Sequence, residues 1–252
     1  MNKVKLILRK ELGEIFQQRA LIYSLCVVPL IIVILAGVVL YTTHTSLLKL
    51  PPSTQVNAIT AIKTAQVSVG NLFRMYLLIE PLFIPAMIAA YSIVGEKNSH
   101  TLEPLLAAPL ETWQLLMAKS LSAMIPAILA TWISAGLFSA ELVIFTLPGV
   151  IGQVITPAYL VLLLLTAPVL TLTPVALTVM ASSRFNEPRA AAQVSSVIFV
   201  VLVLILSRVS PEQIPSPLSS FVATIIIAAI GIMLFWIAIG IFQRESILTR
   251  WK

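Results

Sequence analysis

Aspartate is missing from all 252 residues, histidine occurs twice and cysteine once. These absences remove most catalytic chemistry. There is no H-E-x-x-H, no G-x-S-x-G and no aspartate pair, and both histidines fall in loops, so no hydrolytic constellation can be assembled at membrane depth. His44 has no cysteine, aspartate or second histidine nearby and is read as a loop residue rather than a metal ligand. Cys26 lies within an apolar run and has no partner for an intrachain disulfide. No G-x-x-x-x-G-K-[ST] occurs, so the chain carries no phosphate-cradling loop of its own. No cofactor and no metal is expected on it.

Charge is scarce as well. Charged residues make up 10% of the chain and hydrophobic ones 59%, and the mean hydropathy is +1.01. A soluble domain carries roughly 25% charged residues. A chain this apolar has no surface to offer water, so its solvent is lipid. The net charge of +6 does not indicate a nucleic-acid partner, because the basic residues cluster at the ends of apolar runs, as membrane orientation requires.

What remains is a series of long apolar segments. About 20 apolar residues cross a hydrocarbon core roughly 30 Å thick, and six segments qualify: Leu21–Tyr41, Leu72–Val94, Leu121–Leu147, Pro157–Ser182, Ala191–Ser207 and Phe221–Phe242. The sequence therefore predicts an all-α, polytopic membrane protein of one domain over residues 1–252, with six transmembrane helices. An even number of spans puts both termini on one side. With both ends inside, 12 of the 16 basic residues fall on the inner side and 4 (Lys49, Lys63, Arg74, Arg208) on the outer, which predicts cytoplasmic termini in a cell membrane.

Residues 3–19 place Val4, Ile7, Leu8, Leu12, Ile15 and Phe16 on one helical face, the pattern of an amphipathic helix lying in the headgroup plane against lipid. Residues 42–71 read as the longest external loop, broken at Pro51-Pro52, with a short helix following. Within the spans, Glu80 and Glu141 are ionisable groups at membrane depth and hence candidates for the substrate path. A structural pairing of Glu80 with Arg74 or Arg208 is the other reading.

The segment from Ser92 to Ser120, SIVGEKNSHTLEPLLAAPLETWQLLMAKS, interrupts the apolar pattern with three glutamates. Gly95 is placed at the end of the second span. Thr101 is placed as an N-cap, with Glu103 and Pro104 in the first turn, and Leu102, Leu105 and Leu106 share one face until Pro109 stops the helix. A second helix is predicted to begin near Glu111 or Thr112. The acidic rim suits a protein partner better than a lipid surface.

The pattern G-E-K-x-x-x-T-L-E-x-L-L-x-x-P followed by W-x-L-L-x-x-K resembles the corresponding loop of ABC-2 type transporter permeases, and looks most like the sodium-extrusion branch. Lys10-Glu11-Leu12 and the six-span count resemble the same family. The resemblance implies that residues 95–119 form a cytoplasmic coupling loop. Its helix would seat in a cytosolic ATPase through Glu96, Lys97, Thr101, Leu102, Glu103, Leu105, Leu106 and Pro109. It also implies that ATP and Mg are bound by a separate ABC ATPase, present in two copies, and that a second permease copy, giving a homodimer, completes the path. The chain itself would be a non-enzymatic exporter permease. The alternative is a non-catalytic membrane anchor or assembly subunit of another complex. The transported substrate stays open among a cation, a peptide, a lipophile and a lipid-linked glycan.

Overall fold

The computed structural model describes residues 2–49, 51–99, 111–182, 185, 187–195 and 217–241, and every regular element among them is helical. In chain order these are α1 (Asn2–Gln17), α2 (Arg19–Leu48), α3 (Pro52–Leu77), α4 (Glu80–Asn98), α5 (Thr112–Phe145), the single turn α6 (Ile151–Val154), the interrupted helix α7 (Pro157–Ser182) and α8 (Pro217–Ile241). A short helical stretch at 188–195 lies between the last two. Five segments are long and apolar enough to cross a membrane: Leu21–Ser46, Ala58–Asn98, Thr112–Phe145, Pro157–Ser182 and Ser220–Ile241. They match five of the six expected spans. The remaining one, Ala191–Ser207, lies outside the described residues from 196 onward.

Residues 42–71 are not a loop. α2 continues to Leu48 and α3 starts at Pro52, so the two form a helical hairpin that turns at the double proline. Pro52 sits in the first helical turn, where its missing N–H is not needed. At the end of α2 the hydroxyls of Thr42, Thr43, Thr45 and Ser46 each donate to the carbonyl three residues back, at 2.8–3.2 Å. That bonding keeps a polar sequence helical. A second correction concerns the expected span 72–94. It is broken at Leu78–Ile79, where the chain tightens through Leu78 N–H to Met75 O and Ile79 N–H to Tyr76 O, and α4 restarts with Glu80-Pro81 in its first turn. Gly95 does not end that helix. α4 runs on to Asn98, and the Ser99 hydroxyl and amide both donate to the Gly95 carbonyl at 3.0 Å.

α4 is central and α8 peripheral: in the most apolar window of each span, 67% is buried for Ala58–Asn98 and 11% for Ser220–Ile241. α4 packs on α5 and on the C-terminal part of α7, while α1 lies across α5 and α2 pairs with both α3 and α5. Two main clusters fill the interior. One joins Ile7, Ile15, Ile88, Leu116 and Val175; the other joins Leu40, Leu77, Phe138, Val150 and Leu163. Small residues such as Ala90, Ala118, Ala123 and Ala127 are fully buried, which lets helices approach closely where lipid leaves no hydrophobic force to drive them together. The outward faces stay apolar, with Ile225, Ile226, Met233 and Trp236 on α8 all exposed.

α7 carries a local rearrangement that periodicity does not show. Residues Leu162–Thr166 form a π-turn, in which the Ala167 N–H reaches back to the Leu162 carbonyl. Leu163 O is thereby deprived of its usual partner, and its π-register partner would be Pro168, which has no N–H. The Trp132 indole N–H fills the gap from α5, at 3.0 Å from Leu163 O. Trp132→Phe keeps the ring but strands that carbonyl. A loss of about 1–3 kcal/mol is expected, measured as a lower thermal midpoint in lipid nanodiscs, with Trp236→Phe on the exposed face of α8 as the neutral control.

Candidate functional site

The cytoplasmic segment predicted to couple to a partner is bounded by Glu96 in the last turns of α4 and Lys119 in the third turn of α5. The structure joins them. Lys119 Nζ lies 2.7 Å from Glu96 Oε2, 2.9 Å from Glu11 Oε1 and 2.8 Å from Ser92 Oγ. An ammonium has three protons, and three oxygens surround this one. Lys119 and Glu11 are each only 2% exposed, and Glu96 is 7% exposed. The Ser92 hydroxyl accepts from Lys119 and donates to Glu11 Oε2 at 2.7 Å. Lys10 extends the network outward, 3.3 Å from Glu96 Oε1 and 3.2 Å from Glu14 Oε1. Thus α1, α4 and α5 meet on one buried cation.

Each helix reaches this point for a reason visible in its sequence. On α1, Ile7, Glu11 and Ile15 recur every fourth residue and are all buried, so Glu11 lies inside the apolar stripe; Phe16, assigned to that stripe, is instead exposed. On α5, Leu115, Lys119 and Ala123 repeat the same spacing. α5 starts at Thr112 as predicted, capped by Glu111, whose side chain accepts from the first-turn backbone while Gln114 reaches back to the Glu111 N–H. The Trp113 indole also donates to Glu111.

The electrostatics are those of a dry, balanced cluster. Burial by itself would raise the Glu11 carboxyl, but the Lys119 charge, the Ser92 hydroxyl and Lys10 outweigh it and hold Glu11 below the usual carboxylate value. Burial would lower Lys10, and Glu96 and Glu14 reverse that, raising it above the ordinary lysine value. Three carboxylates, Glu11, Glu14 and Glu96, converge closely enough to suggest metal ligation. Lysine ammoniums already hold each of them, so the charge a metal would bring is supplied.

Of the residues singled out for partner docking, Glu96 faces inward into this cluster and Lys97 is half-buried beside it. Thr101, Leu102, Glu103, Leu105, Leu106 and Pro109 lie outside the described residues. Glu11 and Ser92 were not assigned a role from sequence. A charged residue at a buried position of an apolar stripe is the signal that points to Glu11.

The two intramembrane glutamates occupy different settings. Glu80 is 1% exposed, and both its oxygens lack a hydrogen-bond partner among the described residues. Arg74 does not pair with it. That guanidinium donates to Val154 O at 3.0 Å and lies 5.6 Å over the Tyr159 ring. Arg208 is outside the described residues. Glu141 lies in the seam between α2 and α5, its carboxylate over Gly37, where a Cβ would stand 2.7 Å from Oε1. Glycine is therefore what admits a carboxylate between these two helices. Glu141 is seven residues, about 10 Å along the helix axis, beyond Ser134, the α5 residue beside Glu80. Both glutamates thus border the same face of α5.

A bundle of membrane-crossing helices with an ion-paired cytoplasmic junction and an unpaired carboxylate at depth suits transport. No curated protein matches the chain. Residues 6–240 match the family described as ABC-2 family transporter protein, and by that match over nearly its whole length the chain belongs to the ABC-2 family of transporter membrane proteins.

Proposed function

We propose that this chain is the permease subunit of an ATP-driven exporter whose nucleotide-binding subunits are separate chains. In this reading both termini are cytoplasmic, α1 lies along the inner headgroup plane, and two copies of the chain form the path. Residues 95–119 couple the spans to the ATPase. Leu105 and Leu106 anchor in its cleft, Leu102, Thr101 and Pro109 shape the docking helix, and Glu103 sets its register. ATP and Mg bind the partner only. The loop motif shared with the sodium-extrusion branch supports a cation or cationic substrate, for which Glu80 is the contact at depth and Glu141 lies farther along the path.

The observation that carries this reading is the buried Lys119, which clamps the two ends of the coupling segment and α1 to one another. Force applied to the segment enters α4, α5 and α1 together, because moving one of them separates buried charges. Glu96 and Lys119 therefore transmit, while the leucines between them dock.

The test is co-purification of the chain with the ATPase encoded beside it, comparing wild type with the Leu105→Asp/Leu106→Asp double variant. Truncating a central anchor commonly costs about 2 kcal/mol or more, so association of the variant is expected to fall at least about thirtyfold, with the membrane fold intact. Normal folding with no ATPase association in either protein would favour an assembly subunit instead.

A further inference from the structure

A cavity of about 350 Å³ opens between the end of α1, α2 and α5. Its wall includes Phe16, Cys26, Pro29, Leu129, Ile133 and Ser134 and is almost wholly carbon. Leu129 and Ile133 are also exposed on the outside of the bundle, where the solvent is lipid, so the cavity opens sideways into the bilayer. Ser134 is the exception in this lining. Its hydroxyl has one proton, which goes to Ala130 O at 2.8 Å, leaving its lone pairs free to accept. Close against Ser134 is Glu80, whose two oxygens have no hydrogen-bond partner among the described residues. A dry apolar chamber therefore ends at a hydroxyl acceptor backed by an unpartnered carboxylate.

We infer that this cavity binds a lipophilic amine taken from the membrane, with its apolar body against Leu129 and Ile133 and its ammonium between Ser134 and Glu80. The alternatives fit the walls less well. A neutral acyl chain fills the space but leaves the Glu80 oxygens bare. A glycan would press its hydroxyls against carbon with nothing to bond. A bare metal ion would find a single side-chain hydroxyl as oxygen ligand. An amine supplies the missing donors and charge at one end and only hydrocarbon elsewhere. The inference rests on the permease reading for the transport step after binding, and narrows its cationic substrate to one class.

Cys26 makes the site directly observable, since it lines the cavity, is exposed there and is the chain's sole cysteine. The full chain in lipid nanodiscs is alkylated with N-ethylmaleimide, a neutral reagent indifferent to surface potential, and followed by intact mass. Dodecylamine and dodecanol present the same apolar body with and without the cation. Saturating dodecylamine is expected to slow Cys26 alkylation about tenfold or more by mass action, with dodecanol far weaker, and Glu80→Gln is expected to reduce the amine to the level of the alcohol. The thermal midpoint provides a second readout. Dodecylamine should raise it in wild type but not in Leu129→Trp, which fills the cavity from its lipid side. Equal protection by both ligands would show a niche for acyl chains that reads no charge, and would overturn the inference. Protection by neither, with no thermal shift, would overturn it too. No ATPase is present in this assay, so its failure leaves the coupling reading standing. Loss of ATPase association would likewise leave the amine site standing.

Discussion

Lys119→Met is expected to destabilise the protein by about 3–5 kcal/mol, the usual result of removing one partner from a buried ion pair. Methionine fills much of the same volume, so packing around α5 is largely kept. What is lost is the charge that faces Glu11 and Glu96 at 2.9 and 2.7 Å. Both carboxylates then stand in a nearly dry site. Glu96 retains Lys10, but Lys10 is half in solvent and reaches only its other oxygen. Glu11 has little left besides the Ser92 hydroxyl, so α1 is expected to detach first. Thermal unfolding in nanodiscs measures the total, and limited proteolysis near Arg9 and Lys10 reports the release of α1. Adding Glu11→Gln to Lys119→Met removes one stranded charge and should recover part of the loss. If the double variant is as unstable as the sum of the singles, the pair is not coupled and the clamp does not exist.

The same cluster sets a pH dependence. Because the folded-state Glu11 carboxyl lies below its ordinary value of 4.5, its contribution is present in full above that value. It is lost as the pH falls through the lower folded value. Acid should therefore loosen α1 in wild type, and the acid-sensitive step should shrink in Glu11→Gln. Proteolysis of α1 across this range measures it.

Glu80→Gln is expected to separate stability from function. A charged group within a span costs at least about 2.5 kcal/mol, and Glu80 has no ion pair to offset it among the described residues. The amide keeps the shape and sheds the charge, so the thermal midpoint should rise. Substrate-stimulated ATP hydrolysis by the partner should fall instead. Truncating one member of a buried charge pair costs about 2–5 kcal/mol, equivalent to about thirtyfold or more in the response to a cationic substrate. Such a trade, stability gained where activity is lost, marks a residue kept for use rather than for folding. Unchanged stimulation would remove Glu80 from the path. If the variant were instead less stable, Glu80 would be structural after all.

Membrane residence, helix class and the places where apolar runs begin and end were legible from composition and length. Pro157–Ser182 is the span the sequence predicts, and Thr112 begins α5 as expected. The hairpin of α2 and α3 was hidden because its polar residues read as loop: threonine and serine hydroxyls satisfy local carbonyls there, and no one-dimensional pattern records that. The π-turn in α7 was equally hidden, since it depends on an indole from α5, about thirty residues earlier, meeting one stranded carbonyl.

The residues themselves determined that this chain lies in lipid, that it hydrolyses nothing through a motif of its own, and that the stretch from Gly95 to Lys119 resembles an ABC-2 coupling loop. A local pattern suffices for these, because hydropathy and motif spacing are properties of neighbours in sequence. Only the tertiary structure decided which charges are partners. Glu11 and Lys119 are 108 positions apart, and Arg74, six residues before Glu80, turns to Tyr159 and Val154 instead. Pairing inside a bundle depends on which helix faces meet, and those faces are set by packing across the whole molecule.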